Sequence, residues 1–292
     1  MFDKGPVSKL GLGTFKFGRN FQVKYPGGEG AALPTPEEID ALLIKAHQLG
    51  INILDTAPSY GLSEQRIGEA LQRTGLTHRF YLSSKVGEFQ NGNALFYSAD
   101  PGLMRQSLEQ SLINLKVSRL DYLFLHHDDL LHETVIQFLL RMKGEKLVDK
   151  IGVSLTHEMN LPEHILDFDA VFVPYNINFQ NFSAYMNVQR TEHLDVFVKR
   201  PLGSGLIQSK EEIRHALQHL AHQDAITTCM FSTLSLNNLE NNCRFFCTDR
   251  TYNQIGKQPY GGGIQTRLPF PPCPLPSQYP ARLRRAPLGT PS

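Results

Sequence analysis

The 292-residue sequence predicts an α/β protein, a closed (β/α)8 TIM barrel followed by an irregular C-terminal tail. Three observations carry this. Eight short apolar runs with strand character recur along the chain. Many are separated by amphipathic helical stretches, which is the rhythm of parallel βαβ units. None is followed by the Gly-rich turn that an open dinucleotide-binding sheet carries, so a closed barrel is favoured over a doubly wound sheet.

In chain order the runs are KLGLGT, INILDT, FYLSSK, LDYLFLH, IGVSL, AVFVPYN, DVFVKR and AITTCMF. After the first, Thr35, Pro36 and Glu38 combine a cap, a proline at the first helical position and a capping-box glutamate. Ile39, Leu42, Leu43 and Ala46 then recur at helical spacing. Asp100-Pro101 opens another helix, with Met104, Leu108, Leu112 and Leu115 on one face. Ser209 with Glu212 caps a later one containing Ile213, Ala216, Leu217 and Leu220. From about Cys247 the chain is rich in proline and glycine and loses periodicity. Such a segment cannot readily repay its ordering entropy, which divides the chain into a barrel over 1–246 and a disordered or irregular tail over 247–292.

Apolar residues make up 41%, charged residues 20%, and the formal charge is +1. This balance gives no electrostatic case for nucleic acid or an acidic membrane as partner. Cys229, Cys243, Cys247 and Cys273 lack the spacing of a disulfide framework or zinc site, which favours a reducing compartment. The N-terminus has no apolar leader and no run of 18 apolar residues occurs, so the expectation is a cytoplasmic protein. Oligomeric state is left open, and a monomer is compatible with everything above.

Four residues stand just past strand-like runs: Asp55 and Tyr60 after INIL, Lys85 after FYLSS, His126 after LDYLFL. In a barrel of this kind they converge on one mouth, where such folds carry their chemistry. A tyrosine is a poor acid at neutral pH, but an adjacent ammonium stabilises its phenolate. Lys85 can supply that charge and Asp55 can hold the lysine ionised. His126 can then orient a carbonyl or share the proton with Tyr60. The set suits protonation of a developing alkoxide, and the hydride must come from a cofactor. His127, Asp128 and Asp129 beside His126 hint at a metal, but neighbours on a strand point to opposite faces, so no metal is expected.

The strings VSKLGLGTFKFGRN, GINILDTAPSYGLSEQRIGEAL, FYLSSKVG, LDYLFLHH, DKIGVSL and VPYNIN resemble successive signature blocks of the aldo-keto reductase superfamily, over roughly residues 7–242. The resemblance implies that Asp55, Tyr60, Lys85 and His126 form the family's catalytic tetrad, with Tyr60 the general acid. It implies NADPH as hydride donor, with NADH not excluded, and a small-molecule aldehyde or ketone as substrate. It also places Gly13 and Thr14 near the nicotinamide and Ser154 at the carboxamide. VKRPLGSG resembles a bacterial variant that sets Lys199, Pro201, Leu202, Gly203 and Gly205 beside the cofactor. STLSLNNLENN sets Thr233, Ser235, Asn238, Asn241 and Asn242 near the ribose phosphate and adenine, where a helix N-terminus suits an anion.

Four features depart from the family pattern. Leu155 stands where an asparagine is common, Phe172 where a glutamine is, and Lys199-Arg200 where a stacking aromatic and a serine are. Asn238 replaces a frequent arginine clamp for the 2′-phosphate. These departures, and a tail that does not resemble the family's usual C-terminal helices and substrate loop, keep open a non-catalytic, nucleotide-binding regulatory protein of the same superfamily. A lyase or aldolase using Lys85 as a Schiff base is a further alternative, against which Asp55 counts because it keeps the lysine charged.

Overall fold

The computed structural model describes residues 4–23, 27–156, 167–182 and 193–247. The region 248–292, and with it nearly all of the expected tail and Cys273, lies outside the described residues.

Each of the eight predicted runs forms a strand of one barrel. These are β1 (Leu10–Gly13), β2 (Ile53–Asp55), β3 (Tyr81–Val86), β6 (Leu120–Leu125), β7 (Val148–Ser154), β8 (Ala170–Pro174), β9 (Asp195–Lys199) and β10 (Ile226–Phe231). All neighbours pair in parallel, and β1 closes the ring by pairing with both β2 and β10. Closure makes every C-terminal strand end face the same mouth, so chemistry spread over the sequence is gathered there.

Two strands were not foreseen. β4 (Glu88–Asn91) and β5 (Ala94–Tyr97) form an antiparallel hairpin after β3, with Asn91 paired to Ala94 across Gly92-Asn93. Gly92 has φ 58, the positive value that a glycine at the first corner of a two-residue turn supplies. The hairpin projects from the mouth and delivers Glu88 to it.

The helices begin where the cap residues stand. In α2 (Pro36–Gln48) the Thr35 side chain accepts from the Glu38 N–H and the Glu38 side chain accepts in return, a complete capping box. α3 (Ser63–Thr74) follows the Tyr60 loop, and α4 (Pro101–Leu115) starts on Asp100, whose carboxylate accepts the Leu103 N–H at 2.7 Å. After α5 (Glu133–Gly144), α6 (Lys210–Ala221) has a second full capping box at Ser209 and Glu212. α7 (Leu236–Phe246) is capped by Ser235. A single turn, α1 (Phe15–Gly18), follows β1. Among the described residues, no helix is long and apolar enough to cross a membrane.

The core has two layers. Between strands and helices lies a broad aliphatic layer including Leu12, Leu43, Leu71, Leu123, Val153 and Leu217. Inside the barrel a smaller cluster of Ile53, Tyr122, Phe124, Ala170, Phe172, Phe197 and Met230 fills the lumen. Aromatic rings dominate it, with Phe124, Phe172 and Phe197 within 5.5 Å of one another centre to centre. Phe172 is the member that Lys85 and Lys199 overlie.

The loop that carries Tyr60 is pinned by backbone contact between two glycines. A Cβ on Gly18 would lie 2.1 Å from the Ser63 nitrogen and 2.3 Å from the Tyr60 carbonyl oxygen. One on Gly61, itself at φ +62, would lie 2.2 Å from the Gly18 oxygen. Alanine at position 18 must therefore push the Tyr60 loop outward. We expect Gly18→Ala to destabilise the protein by about 1–3 kcal/mol, as overpacking does. By contrast Gly144→Ala, where a Cβ meets nothing within 4 Å, should be neutral or stabilising. Urea unfolding of both variants checks this, and a Gly18→Ala protein as stable as the parent would refute the close contact.

Candidate active site

Asp55 ends β2, Lys85 lies near the end of β3 and His126 follows β6, three strands adjacent in the barrel order β6-β3-β2. The strand ladder continues past the named strands: the Thr56 N–H donates to the Ser83 carbonyl at 2.9 Å and the His126 N–H to the Val86 carbonyl at 2.9 Å. These bonds hold the three side chains in register, and the four expected residues meet at the mouth.

Lys85 is the centre. Its Nζ donates to both Asp55 carboxylate oxygens at 2.7 Å and to the Thr56 carbonyl at 2.7 Å. Ser83 Oγ donates to Asp55 Oδ1 at 3.0 Å, so the carboxylate is satisfied from the next strand as well. Burial works against the ammonium, but Asp55 and then Tyr60 outweigh it, and Lys85 is held charged above its ordinary pKa.

Tyr60 sits over this pair, with Lys85 Nζ 5.0 Å from its ring centroid. Phe15 packs edge-on against one side at 5.1 Å and His126 against another at 5.9 Å. Here the net effect differs from the expected lowering of the phenol pKa. Burial raises it, Lys85 lowers it by less, and the carboxylates of Asp55 and Glu88 add to burial. The resting tyrosine is therefore firmly protonated, and Lys85 acts when negative charge develops rather than in the resting state.

His126 is half-buried, and its Nδ1 is withdrawn from solvent. Burial brings its pKa down to about 4 against the opposing pull of Glu88, so the ring is neutral at pH 7. Glu88 escaped the sequence reading. Its Oε2 lies 2.9 Å from His126 Nδ1, its Oε1 lies 3.5 Å from His127 Nε2, and Ser59 Oγ donates to Oε2 at 2.6 Å. Burial opposes its charge, yet these donors outweigh burial and hold the carboxyl far below the usual carboxylate range. The alternation argument for His126 and His127 also fails, because β6 ends at Leu125. Past that point strand alternation no longer applies, and both rings turn to Glu88. The only signal for this residue was the Gly92-Asn93 turn, which makes 88–97 a hairpin.

The model of the Aldo/keto reductase family matches residues 9–261. The chain belongs to this family. It is 27% identical over 217 residues to L-galactose dehydrogenase of Arabidopsis thaliana, covering 69% of this chain and 63% of that protein. It is likewise 27% identical over 225 residues to the NADH-specific methylglyoxal reductase of Escherichia coli, covering 69% and 65%. The match thus spans less than two thirds of those relatives' own length. Among solved structures, a Pseudomonas aeruginosa protein assigned to the aldo-keto reductases superposes with a TM-score of 0.72 at 30% identity, over 84% of this chain and 92% of that one.

Of the other residues expected at an aldo-keto reductase site, Gly13 ends β1 and Thr14 follows it, fully buried. The Thr14 hydroxyl donates to the Asp55 carbonyl at 2.8 Å and accepts from Ser63 Oγ at 2.9 Å, so its side chain is committed to the Asp55 loop. Ser154, at the end of β7, is buried and accepts from Lys199 Nζ at 2.6 Å. Leu155 is fully buried in the aliphatic layer, and Phe172 forms the floor of the mouth. Lys85 Nζ is 5.5 Å from the Phe172 centroid and Lys199 Nζ is 6.0 Å from it, so the ring faces two ammonium groups.

After Lys199 the segment Pro201, Leu202, Gly203, Gly205 makes a tight turn in which Arg200, Gly203, Ser204 and Gly205 all have positive φ. After β10, Thr233 Oγ1 accepts the Ser235 N–H at 3.1 Å and Ser235 Oγ accepts the Asn238 N–H at 3.2 Å. Asn238 is exposed, Asn241 half-buried and Asn242 buried. β9 and β10 are neighbours, so both segments leave the barrel side by side. Together they carry basic Lys199 and Arg200, amides and hydroxyls, a helix N-terminus, and the exposed apolar side chains Leu206, Leu234 and Leu236. The donor set fits a group with anionic phosphates and flat apolar rings, such as a nicotinamide dinucleotide.

Lys199 carries a pH signature. Burial, Arg200 and Lys85 bring its pKa down to about 7. A depressed ammonium destabilises the fold fully below the folded pKa and ceases to do so above the unfolded value near 10.4. Replacing Lys199 by Met should therefore stabilise the protein most at pH 6 and progressively less toward pH 10. Unfolding midpoints across that range check this, and an advantage independent of pH would show that Lys199 is not held in a depressed state.

Proposed function

We propose that this aldo/keto reductase is an NADPH-dependent oxidoreductase that reduces an aldehyde or ketone to an alcohol, with Tyr60 supplying the proton. The observation that supports it most is the buried Lys85 ammonium, held by both Asp55 oxygens at 2.7 Å and lying beneath the Tyr60 ring. A charge held in that place lowers the cost of forming a phenolate without needing to reorganise. Tyr60, protonated at rest, then donates to the carbonyl oxygen as negative charge grows there, and Lys85 stabilises the phenolate left behind. His126, just past β6, packs edge-on against the tyrosine at 5.9 Å. Bound nicotinamide supplies the hydride.

The residues that would hold the dinucleotide are Gly13, Thr14, Ser154, then Lys199, Pro201, Leu202, Gly203 and Gly205 at the end of β9 and in its turn, and Thr233, Ser235, Asn238, Asn241 and Asn242 around the start of α7. Asn238 brings no positive charge to a 2′-phosphate, which admits NADH as the alternative donor. The names of the two relatives, a dehydrogenase and a reductase, are compatible with either direction of the reaction. The second reading, nucleotide binding without turnover, is kept open by the departures from the family pattern at Leu155, Phe172, Lys199-Arg200 and Asn238.

The Tyr60→Phe variant separates the two. Loss of a positioned acid is worth about 10²–10⁴ in rate. The variant should lose turnover on that scale, followed as nicotinamide absorbance with a panel of aldehydes, while its nucleotide affinity by calorimetry stays near that of the parent. Tight binding with equally slow oxidation in both proteins would decide for the regulatory reading.

A further inference from the structure

The part of the mouth that the family tetrad does not account for is the carboxylate of Glu88, delivered by the β4–β5 hairpin. We propose that Glu88 is a positioning residue that fixes the tautomer of His126, placing the ring proton on Nδ1 and leaving Nε2 as a bare acceptor. This rests on the reading of His126 as part of the active site, and it decides between the two roles open to that residue.

An ionised carboxylate only accepts, so every neighbour facing it must bring a proton. Ser59 Oγ donates to Oε2 at 2.6 Å, and Tyr97 stands opposite Glu88 across the hairpin. His126 Nδ1 lies 2.9 Å from the same Oε2, and His127 Nε2 lies 3.5 Å from Oε1. Neither ring nitrogen is well aligned for a hydrogen bond, and both are sealed from solvent without another partner among the described residues. A lone pair on Nδ1 would therefore face a negative charge at close range with no water to separate them. A proton on Nδ1 turns that contact into attraction.

The other groups facing the ring are Tyr60 from the loop after β2, Lys85 from β3 and the adjacent His127 ring, 4.9 Å away. Lys85 and His127 disfavour a second proton on His126, as burial does. With one proton and that proton on Nδ1, Nε2 has none to give. At Nε2 His126 can therefore only accept a hydrogen bond, so it shares the Tyr60 proton as an acceptor and does not donate one to the carbonyl. The tautomer is set by the second ring nitrogen's partner, as is usual for functional histidines.

Long-range ¹H–¹⁵N correlation spectra of the full chain with ¹⁵N-labelled histidine, without cofactor or substrate, test this directly. His126 is assigned by comparison with His126→Gln. The expected result at pH 7.5 is a protonated Nδ1 and an unprotonated Nε2. In Glu88→Gln, whose amide can donate, the Nε2 signal should move toward the protonated position. A wild-type spectrum showing Nε2–H overturns the proposal, and this result alone is decisive if the variant does not fold. So does a Glu88→Gln spectrum with an unchanged tautomer. The ligand atoms of Glu88, His126 and His127 also lie within 4.8 Å of one another, close enough to hold a cation. If EDTA or added Zn²⁺ moves both histidines' signals, a metal and not the carboxylate alone sets the ring. Because no turnover is read, an inactive protein with the Nδ1–H form would refute the proposed function and leave the role of Glu88 standing.

Discussion

The Lys85–Asp55 ion pair is the constraint around which the mouth is organised. Both side chains are almost entirely withdrawn from solvent, at 3% and 7% exposure. Removing two charges from water costs several kcal/mol per ion, which mutual attraction offsets only with excellent geometry and satisfied remaining valences. The structure meets both conditions. Two oxygens at 2.7 Å, the Thr56 carbonyl and the Ser83 hydroxyl complete the shell. Each comes from β2, β3 or the residue just beyond them, so the pair is only as secure as the parallel register of those strands. The register in turn depends on barrel closure, because neither strand is long enough to be stable alone.

A second consequence is the sharp difference between two lysines that overlie one ring. Lys85 and Lys199 both overlie Phe172, yet one is held charged and the other is brought down to about 7. The difference lies in partners. Lys85 has a carboxylate in direct contact, whereas Lys199 has the neutral Ser154 hydroxyl and a guanidinium next to it in the chain. In a low-dielectric mouth an ammonium with no anion in contact loses its proton more readily. Charge is thus concentrated on the side of the mouth that carries Tyr60. Glu88 extends the same logic to the histidines, since a buried carboxylate disfavours a lone pair on any ring nitrogen that faces it.

Much of this was legible in the sequence. The strand runs, the capping boxes at Thr35 and Ser209 and the residues just past the strands are local signals, and each reappears where its pattern placed it. What was not legible depended on groups remote in sequence. The pKa of Tyr60 could not be signed from its neighbours, because burial, which only packing decides, outweighs the charge of Lys85. Lys199 was read as a cofactor contact, but its bond to Ser154, 45 positions away, shows only when β7 and β9 are brought to one mouth. His126 and His127 were assigned to opposite faces on an alternation that ends one residue too early to apply.

The sequence by itself determined the class of fold and which four side chains, Asp55, Tyr60, Lys85 and His126, meet at the mouth. Hydrophobic period, cap chemistry and residue type just past a strand are properties of short segments, and closed parallel barrels send all such positions to one end. The tertiary structure alone decided the protonation states and the partners. Those depend on desolvation and on distances between side chains tens of residues apart, as Glu88 shows by joining Ser59, His126 and His127. Burial and contact belong to the closed fold, and no segment of the chain carries them in advance.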